Sequence, residues 1–156
     1  MAVYQNQNQF SQTPVLGQVS FEVNPNIKAV KISPDSVSTK LQAGQAVRLI
    51  AGVSSEVLVD VPTSDTAGPV YGVIIYNPKK NLYSPGDTVE IACAGSVLYL
   101  ESSAAINRGA KVSTTYAGPT VVTNATSGKQ ITGIALDQSS DAGQLIRVEV
   151  TPSTNP

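Results

Sequence analysis

Val70-Tyr71-Gly72-Val73-Ile74-Ile75 lies at the centre of a unit that occurs twice in this chain, because Ile131-Thr132-Gly133-Ile134-Ala135-Leu136 repeats it. A glycine that is followed three residues later by valine precedes each stretch, at Gly44 and again at Gly109. A run of alternating apolar and polar residues follows each stretch. The repeated order of landmarks predicts a duplicated structural unit with an apolar strand at its centre.

The spacing of equivalent glycines indicates where the two copies differ. The offsets are 65, 61 and 57 residues for the pairs Gly44/Gly109, Gly72/Gly133 and Gly86/Gly143. The second copy is therefore four residues shorter in each of the two segments between landmarks. Since loops tolerate changes of length better than strands do, the pattern predicts one β framework that is used twice with different loops.

Composition predicts the fold class. The chain has 156 residues, which is enough for one domain with a substantial core, and Val, Ile, Thr, Ser, Gly and Pro dominate it. We predict a mainly β fold in which the two copies form the halves of a single small barrel or sandwich. The polar segments that end at Gly44 and Gly109 fit either one short helical turn or a plain loop.

Gly72 and Gly133 are predicted to be the spine of this fold. A glycine within an apolar strand permits a bulge or the close approach of another backbone. No reactive polar residue recurs together with this pair. The prediction for both glycines is therefore structural.

Several kinds of site are excluded by residue content. The chain has no histidine, a single cysteine and only 13% charged residues with a net charge of -1. We therefore expect no nucleic-acid or membrane partner, no metal site and no cofactor. Cys93 lies among small apolar residues and is predicted to be a buried, unreactive thiol.

Carboxylates are the remaining candidates for catalysis. The pairs Glu56 with Asp60 and Asp137 with Asp141 are spaced closely enough to be considered as a general acid and base. Each lies in or beside a turn segment, where acidic side chains usually bond to nearby backbone or face solvent. We therefore predict that the chain is not an enzyme.

The predicted organisation is an extended N-terminal arm at 1–21, a β domain at 22–150 and a C-terminal tail at 151–156. The duplicated units cover about 41–91 and 106–150. The arm has no charged side chain and contains five glutamines and two asparagines. Its apolar residues are too few to fold alone, so it either pairs with a neighbouring protein as an added strand or stays an unpaired terminus.

The region from about Gly86 to Val150 resembles the capsid cement or decoration proteins of tailed bacteriophages, which stabilise the head. The residues that carry the resemblance are Gly86-Asp87-Thr88-Val89-Glu90-Ile91, Gly95-Ser96-Val97-Leu98-Tyr99, Ala104-Ala105-Ile106-Asn107-Arg108-Gly109 and Ile131-Thr132-Gly133-Ile134-Ala135-Leu136. The resemblance implies a small barrel or β-tulip-like fold. It also implies a homotrimer on the outer surface of the expanded icosahedral head, with the major capsid protein as partner.

In such proteins an N-terminal arm adds a strand to the capsid subunit. The resemblance therefore implies a capsid-binding role for the apolar residues of the arm, which are Val3, Tyr4, Phe10, Val15 and Leu16. A different class, a virion-surface adhesin or carbohydrate-binding β module, is the alternative. That alternative predicts an aromatic binding face, whereas the two Phe and six Tyr are scattered along the chain.

Overall fold

The computed structural model describes residues 13–20, 23–36, 41–50, 56–62, 69–114, 120–123 and 130–154. These residues contain strands and no helix, which confirms the mainly β class. The strands are β1 (Val19–Ser20), β2 (Ile27–Ile32), β3 (Leu41–Gln42), β4 (Ala46–Leu49), β5 (Leu58–Asp60), β6 (Gly72–Ile74), β7 (Leu82–Tyr83), β8 (Thr88–Ala92), β9 (Val97–Ser102), β10 (Lys111–Thr114), β11 (Thr120–Thr123), β12 (Gln130–Ala135) and β13 (Leu145–Thr154).

The strands pair into two rings with one strand order. Barrel 1 is the closed ring β2-β5-β4-β6-β8, in which only the β2–β5 pairing is parallel. Barrel 2 follows the order β9-β11-β10-β12-β13 and is closed by the pairing of β13 with β9; its parallel pair is β9–β11. The predicted small barrel is confirmed, and the duplication takes the form of two rings rather than two halves of one ring.

Turns repeat between the barrels together with the strands. Gly44 donates a backbone hydrogen bond to the Ile74 carbonyl oxygen at 2.8 Å, and Gly109 donates the equivalent bond to Ala135 at 2.7 Å. Both glycines adopt the left-handed conformation, with φ of 88° and 82°. The glycine landmarks thus mark equivalent turns. In the described residues these turns are not helical.

Strand pairing extends each repeat beyond the glycine landmarks. β2 pairs with β8 in the same register in which β9 pairs with β13, so that Ala29 lies opposite Glu90 as Tyr99 lies opposite Arg147. The repeated units therefore begin at β2 and β9, at residues 27 and 97. β13 also continues into the segment predicted as a tail, because Thr154 pairs with Gln130.

The central stretch of the sequence lies between two cores. Ile74 points into the interior of barrel 1, where it packs in a cluster with residues such as Val47 and Val59. Val73 and Ile75 point the other way, into a cluster that contains the interior of barrel 2. The alternation of a strand therefore places successive residues of β6 in different cores, which explains why the stretch is apolar throughout.

Gly72 and Gly133 lie where two backbones approach closely. A Cβ on Gly72 would lie 2.8 Å from the Ala92 carbonyl oxygen, and a Cβ on Gly133 would overlap the Glu149 carbonyl oxygen. The register of β12 against β13 also shifts between Ile131 and Gly133. Neither position has room for a side chain unless the strands move apart.

Candidate functional site

Residues 13–20, the later part of the predicted arm and here called the stem, connect residues 1–12, called the arm from here on, to the barrels. A tight turn forms its middle: the Gln18 amide donates to the Val15 carbonyl oxygen at 3.0 Å, and the Val15 amide donates to Gln18 Oε1 at 3.0 Å. Gly17 stands in this turn with φ of 78°. A Cβ there would lie 2.7 Å from Ala43 Cβ, so both the backbone conformation and the close packing require glycine.

Main-chain hydrogen bonds fasten the stem to both barrels. The Gly17 amide donates to the Tyr99 carbonyl oxygen at 2.7 Å, and the Tyr99 amide donates to the Gln18 carbonyl oxygen at 2.9 Å. In barrel 1, the Tyr76 amide donates to the Gly17 carbonyl oxygen at 2.8 Å. β1 then pairs with β9, and Val19 is buried in the second core, the cluster that contains the interior of barrel 2. The stem is therefore part of the folded body and holds the start of the arm in one place.

The two predicted arm residues that the structure describes have different environments. Val15 is 38% exposed and lines a groove together with Tyr76, which is 41% exposed. Leu16 packs against the second core. Val15 is thus available to a partner, whereas Leu16 anchors the stem.

Three predicted arm residues, Val3, Tyr4 and Phe10, lie outside the described residues. Their role in capsid binding stays a prediction.

The first residues of β2 form an edge that resembles the position of the stem on β9. We call residues 27–29 the β2 edge. β5 pairs with β2 only at Lys31 and Ile32, and no other strand in the described ranges lies against the β2 edge. Ile27 and Ala29 are exposed there. At the equivalent place in barrel 2, Val97 is only 3% exposed because β1 lies beside β9.

The charged groups of barrel 2 include one well-formed ion pair. Arg147 donates from Nη2 to Asp137 Oδ1 at 2.7 Å and from Nε to Asp137 Oδ2 at 2.9 Å, and its amide also donates to Oδ2 at 3.0 Å. These bonds, chiefly from the guanidinium, hold the pKa of Asp137 below its ordinary value although partial burial opposes the shift. The pair connects the β12–β13 turn to β13.

Three of the four acids considered for catalysis have structural partners, and Asp141 contributes its backbone carbonyl oxygen, which accepts a hydrogen bond from Ser102 Oγ at 2.9 Å. Glu56 forms an exposed ion pair with Lys31 at 3.1 Å. Asp60 Oδ1 accepts hydrogen bonds from Ser36 Oγ at 2.5 Å and from the Val61 amide at 2.8 Å. Asp137, as described above, is bound to an arginine. The side-chain contacts of Glu56, Asp60 and Asp137 explain these three acids as parts of turns and ion pairs.

The single cysteine is buried, as predicted. Cys93 is 3% exposed and unpaired, and burial raises the pKa of its thiol. Among the described residues, no group of three or more His, Cys, Asp or Glu side chains is placed to hold a metal ion. The same residues include no helix of the length and apolarity that a membrane span requires.

Comparison with known protein families connects this architecture to a biological class. Residues 4–151 match the model of the phage cement family, described as "Structural cement protein (E217 gp24/Pam3 gp6)". The chain belongs to this family. It is accordingly a structural protein of a bacteriophage virion and not an enzyme, which confirms the resemblance and the absence of catalysis expected from the sequence.

A solved structure with a similar fold comes from the head of another phage. The cement protein matches the N base of the head fiber gp8.5 in bacteriophage phi29 with a TM-score of 0.50 and 12% sequence identity. The match covers 82% of this chain and 95% of the head fiber chain. At this identity the likeness concerns the fold alone. Curated proteins yielded no match to the chain.

Sequence reasoning missed two features of the candidate site. The stem binds β9, and its Gly17 contacts Tyr99, which is 82 positions further along the chain. Nothing local in the sequence marks such a long-range pairing. The second feature is the β2 edge. The sequence does contain a signal for this edge. Ile27-Lys28-Ala29 alternates like a strand, but its middle residue is a charged lysine, whereas the equivalent residue of Val97-Leu98-Tyr99 is the apolar Leu98.

Proposed function

We propose that this cement protein binds the outer surface of the assembled, expanded icosahedral capsid as a homotrimer and stabilises the shell. Its partner would be the major capsid protein. The observation that carries the proposal is the family match over residues 4–151, which includes most of the arm as well as both barrels. A protein with this role needs a rigid body and a means of attachment, and it needs no reactive group.

The arm is the proposed means of attachment. An extended segment can add to the edge of a sheet through main-chain hydrogen bonds, with alternate side chains entering pockets. Val3, Tyr4, Phe10 and Val15 are the apolar side chains that we assign to such pockets. Leu16 contributes indirectly, because its packing against the core fixes where the arm begins.

Stabilisation of the shell follows from selective binding. A ligand that binds the assembled state and not the dispersed subunits shifts the equilibrium toward assembly by mass action. Three arms on one trimer would raise the avidity by about 10²-fold or more over one arm, provided that all three reach their sites at once. Neither step requires a change in the barrels.

The test is co-sedimentation of the purified protein with its own expanded and unexpanded heads, together with the temperature at which the heads break. We expect binding to expanded heads and a raised disruption temperature. A variant that lacks residues 1–12 keeps the whole stem and should fold normally but bind far more weakly. Full binding by this variant would remove the arm from the proposal, and no binding by the intact protein would remove the shell as partner.

The trimer is tested separately by static light scattering of the protein alone. A mass of three chains is expected across a range of protein concentrations. A monomer at every concentration would contradict the trimer without affecting the assignment of the capsid as partner.

A further inference from the structure

The outward-facing main-chain groups of the β2 edge have no strand partner in the part of the chain that the structure describes. The Ile32 amide donates to the Asp87 carbonyl oxygen at 2.8 Å. The Lys31 amide donates at 3.1 Å to the carbonyl oxygen of Val57, the residue just before β5. Because the groups of successive residues in a strand point to opposite sides, Ile27 and Ala29 share the direction of Lys31, away from β8. β5 does not reach them. Within the described ranges no strand pairs with their N–H and C=O groups on that side, which leaves room there for an added strand.

The duplication shows what such an edge binds. Ala29 is equivalent to Tyr99, since both are the third residue of the first strand of their barrel. Tyr99 uses its amide and its carbonyl oxygen to bind Gln18 and Gly17 of the stem. An extended segment of this same chain thus occupies the equivalent edge in barrel 2.

Side chains at the β2 edge also remain uncovered. Ile27 is 39% exposed and Val57 is 47% exposed, and a groove beside them runs along Ala29 and Lys31. Exposed apolar residues beside unpaired main-chain groups favour strand addition. The β2 edge therefore combines the exposed apolar side chains and the main-chain groups that an added strand would bind.

We propose that the β2 edge is an acceptor for the N-terminal arm, residues 1–12, of a second copy of this chain while the protein is free of the capsid. The arm has no charged side chain, so its pairing beside Ile27 and Ala29 buries no charge of its own. Twelve residues reach about 40 Å when extended, which is enough to cross to a neighbouring molecule.

The position of the stem favours a second copy over the arm of the same chain. Val15 and Leu16 lie against Gln42 and Ala43, which precede β4. In the ring order β2-β5-β4-β6-β8, β4 and β6 lie across the barrel from β2. This part of the stem, to which the arm is joined, therefore lies across barrel 1 from its own β2 edge.

Direct pairing between the β2 edges of two copies is a weaker arrangement. Only residues 27–29 of each edge are open, and so short a two-stranded contact is marginal in water. An incoming arm adds side-chain contacts along the groove as well. Since an arm can occupy one acceptor at a time, its docking on a second copy competes with its proposed docking on the capsid.

A mixing experiment tests the contact. One chain carries Tyr4→Cys and a second carries Ile27→Cys, and the two are mixed under mild oxidation. We expect a cross-linked pair at about tenfold the yield of a control mixture with Leu49→Cys, because docking raises the effective thiol concentration to about 1 mM. Leu49 is a matched control because it is an exposed apolar strand residue of barrel 1. Cys93 is buried and stays unchanged.

Substitutions at Ala29 show whether main-chain pairing is responsible. Ala29→Pro removes the outward-facing N–H and should abolish the cross-link, whereas Ala29→Thr keeps the N–H and should preserve it. No cross-link above control, or a cross-link unaffected by the proline, would overturn the proposal. A chain that contains both cysteines and cross-links within itself on dilution would also overturn it, because the arm would then be bound to its own barrel.

Hydrogen exchange provides a readout that does not depend on the folding of a variant. The Ala29 amide should exchange more slowly in the intact protein than in the protein without residues 1–12. The Tyr99 amide, which is bonded to Gln18, should be protected equally in both. Equal exchange at Ala29 in the two proteins contradicts the inference. None of these measurements uses capsids, so the inference and the proposed function can fail independently.

Discussion

Barrel 1 and barrel 2 have one strand order and one pattern of parallel and antiparallel pairs, yet they treat the same edge differently. In barrel 2 the stem covers the start of β9, and Leu98 is completely buried there. In barrel 1 the start of β2 is open, and the equivalent residue is Lys28, which is exposed and donates a hydrogen bond to Tyr71 Oη at 3.1 Å.

The difference shows how a duplicated unit acquires two roles. Ring closure requires only the repeated strands and turns, which both copies keep. The stem, which precedes barrel 1 in the sequence, adds strand β1 to barrel 2. This added strand covers the edge of β9 and buries it. The other edge stays available, and its lysine prevents the face from being uniformly apolar.

The largest expected effect comes from the pair of central glycines. Gly133→Val should cost about 4 kcal/mol or more in the free energy of unfolding, because the side chain would overlap the Glu149 carbonyl oxygen. Gly72→Val should cost less, about 2–3 kcal/mol, since its nearest backbone atom is 2.8 Å from the Cβ position. Urea unfolding measures both free-energy changes. Equal changes would show that Gly72 and Gly133 are packed equally closely against the neighbouring strand of their barrel.

Removal of the stem should make barrel 2 resemble barrel 1. A protein that begins at residue 21 loses the burial of Val19 and the backbone bonds between the stem and Tyr99, which we expect to cost about 3 kcal/mol. A protein that begins at residue 13 keeps these contacts and serves as the control. Its thermal stability should match that of the intact protein. A stable protein without the stem would show that the two edges do not differ in the way described.

The sequence predicted the parts of the fold that depend on glycine. Gly44 and Gly109 need the left-handed conformation, and Gly72 and Gly133 sit at close approaches, so few other residues serve at these positions. The landmarks predicted repeats that start at about 41 and 106, whereas the equivalent strand pairing begins earlier, at residues 27 and 97. A strand position accepts almost any residue that suits its surroundings, and Lys28 and Leu98 differ because only one of them has the stem beside it.

The candidate site was predictable only in part for a similar physical reason. The charge-free composition of the arm is a local property and is visible in the sequence. The pairing of Val19 with Leu98, and the lack of a described strand beside Ala29, depend on how distant segments are placed. The sequence near Ala29 contains no information on which other segment reaches it.

An intermediate effect is expected at the ion pair of barrel 2. Asp137→Asn keeps the shape of the side chain but removes the charge that Arg147 binds, and it should cost about 1–2 kcal/mol at neutral pH. Because the pKa of Asp137 is lowered in the folded protein, its stabilising effect is present above its ordinary pKa and is lost as the pH falls through the folded value.

The intact protein should accordingly lose more stability than the Asp137→Asn variant when the pH is lowered below about 4. Chemical unfolding at a series of pH values measures this difference. Parallel pH profiles for the two proteins would mean that Arg147 does not stabilise the charged form of Asp137.

The smallest effect is expected at the exposed ion pair of barrel 1, which stands beside the open edge. Lys31 and Glu56 side chains are 36% and 57% exposed, so Lys31→Met should change the free energy of unfolding by less than about 0.5 kcal/mol. The contrast with Asp137 follows from burial and geometry, because Arg147 makes a two-point contact and Lys31 a single one. A cost at Lys31 as large as that at Asp137 would contradict this expectation. It would show that another segment covers the groove beside the β2 edge in the free protein and shields the ion pair from water.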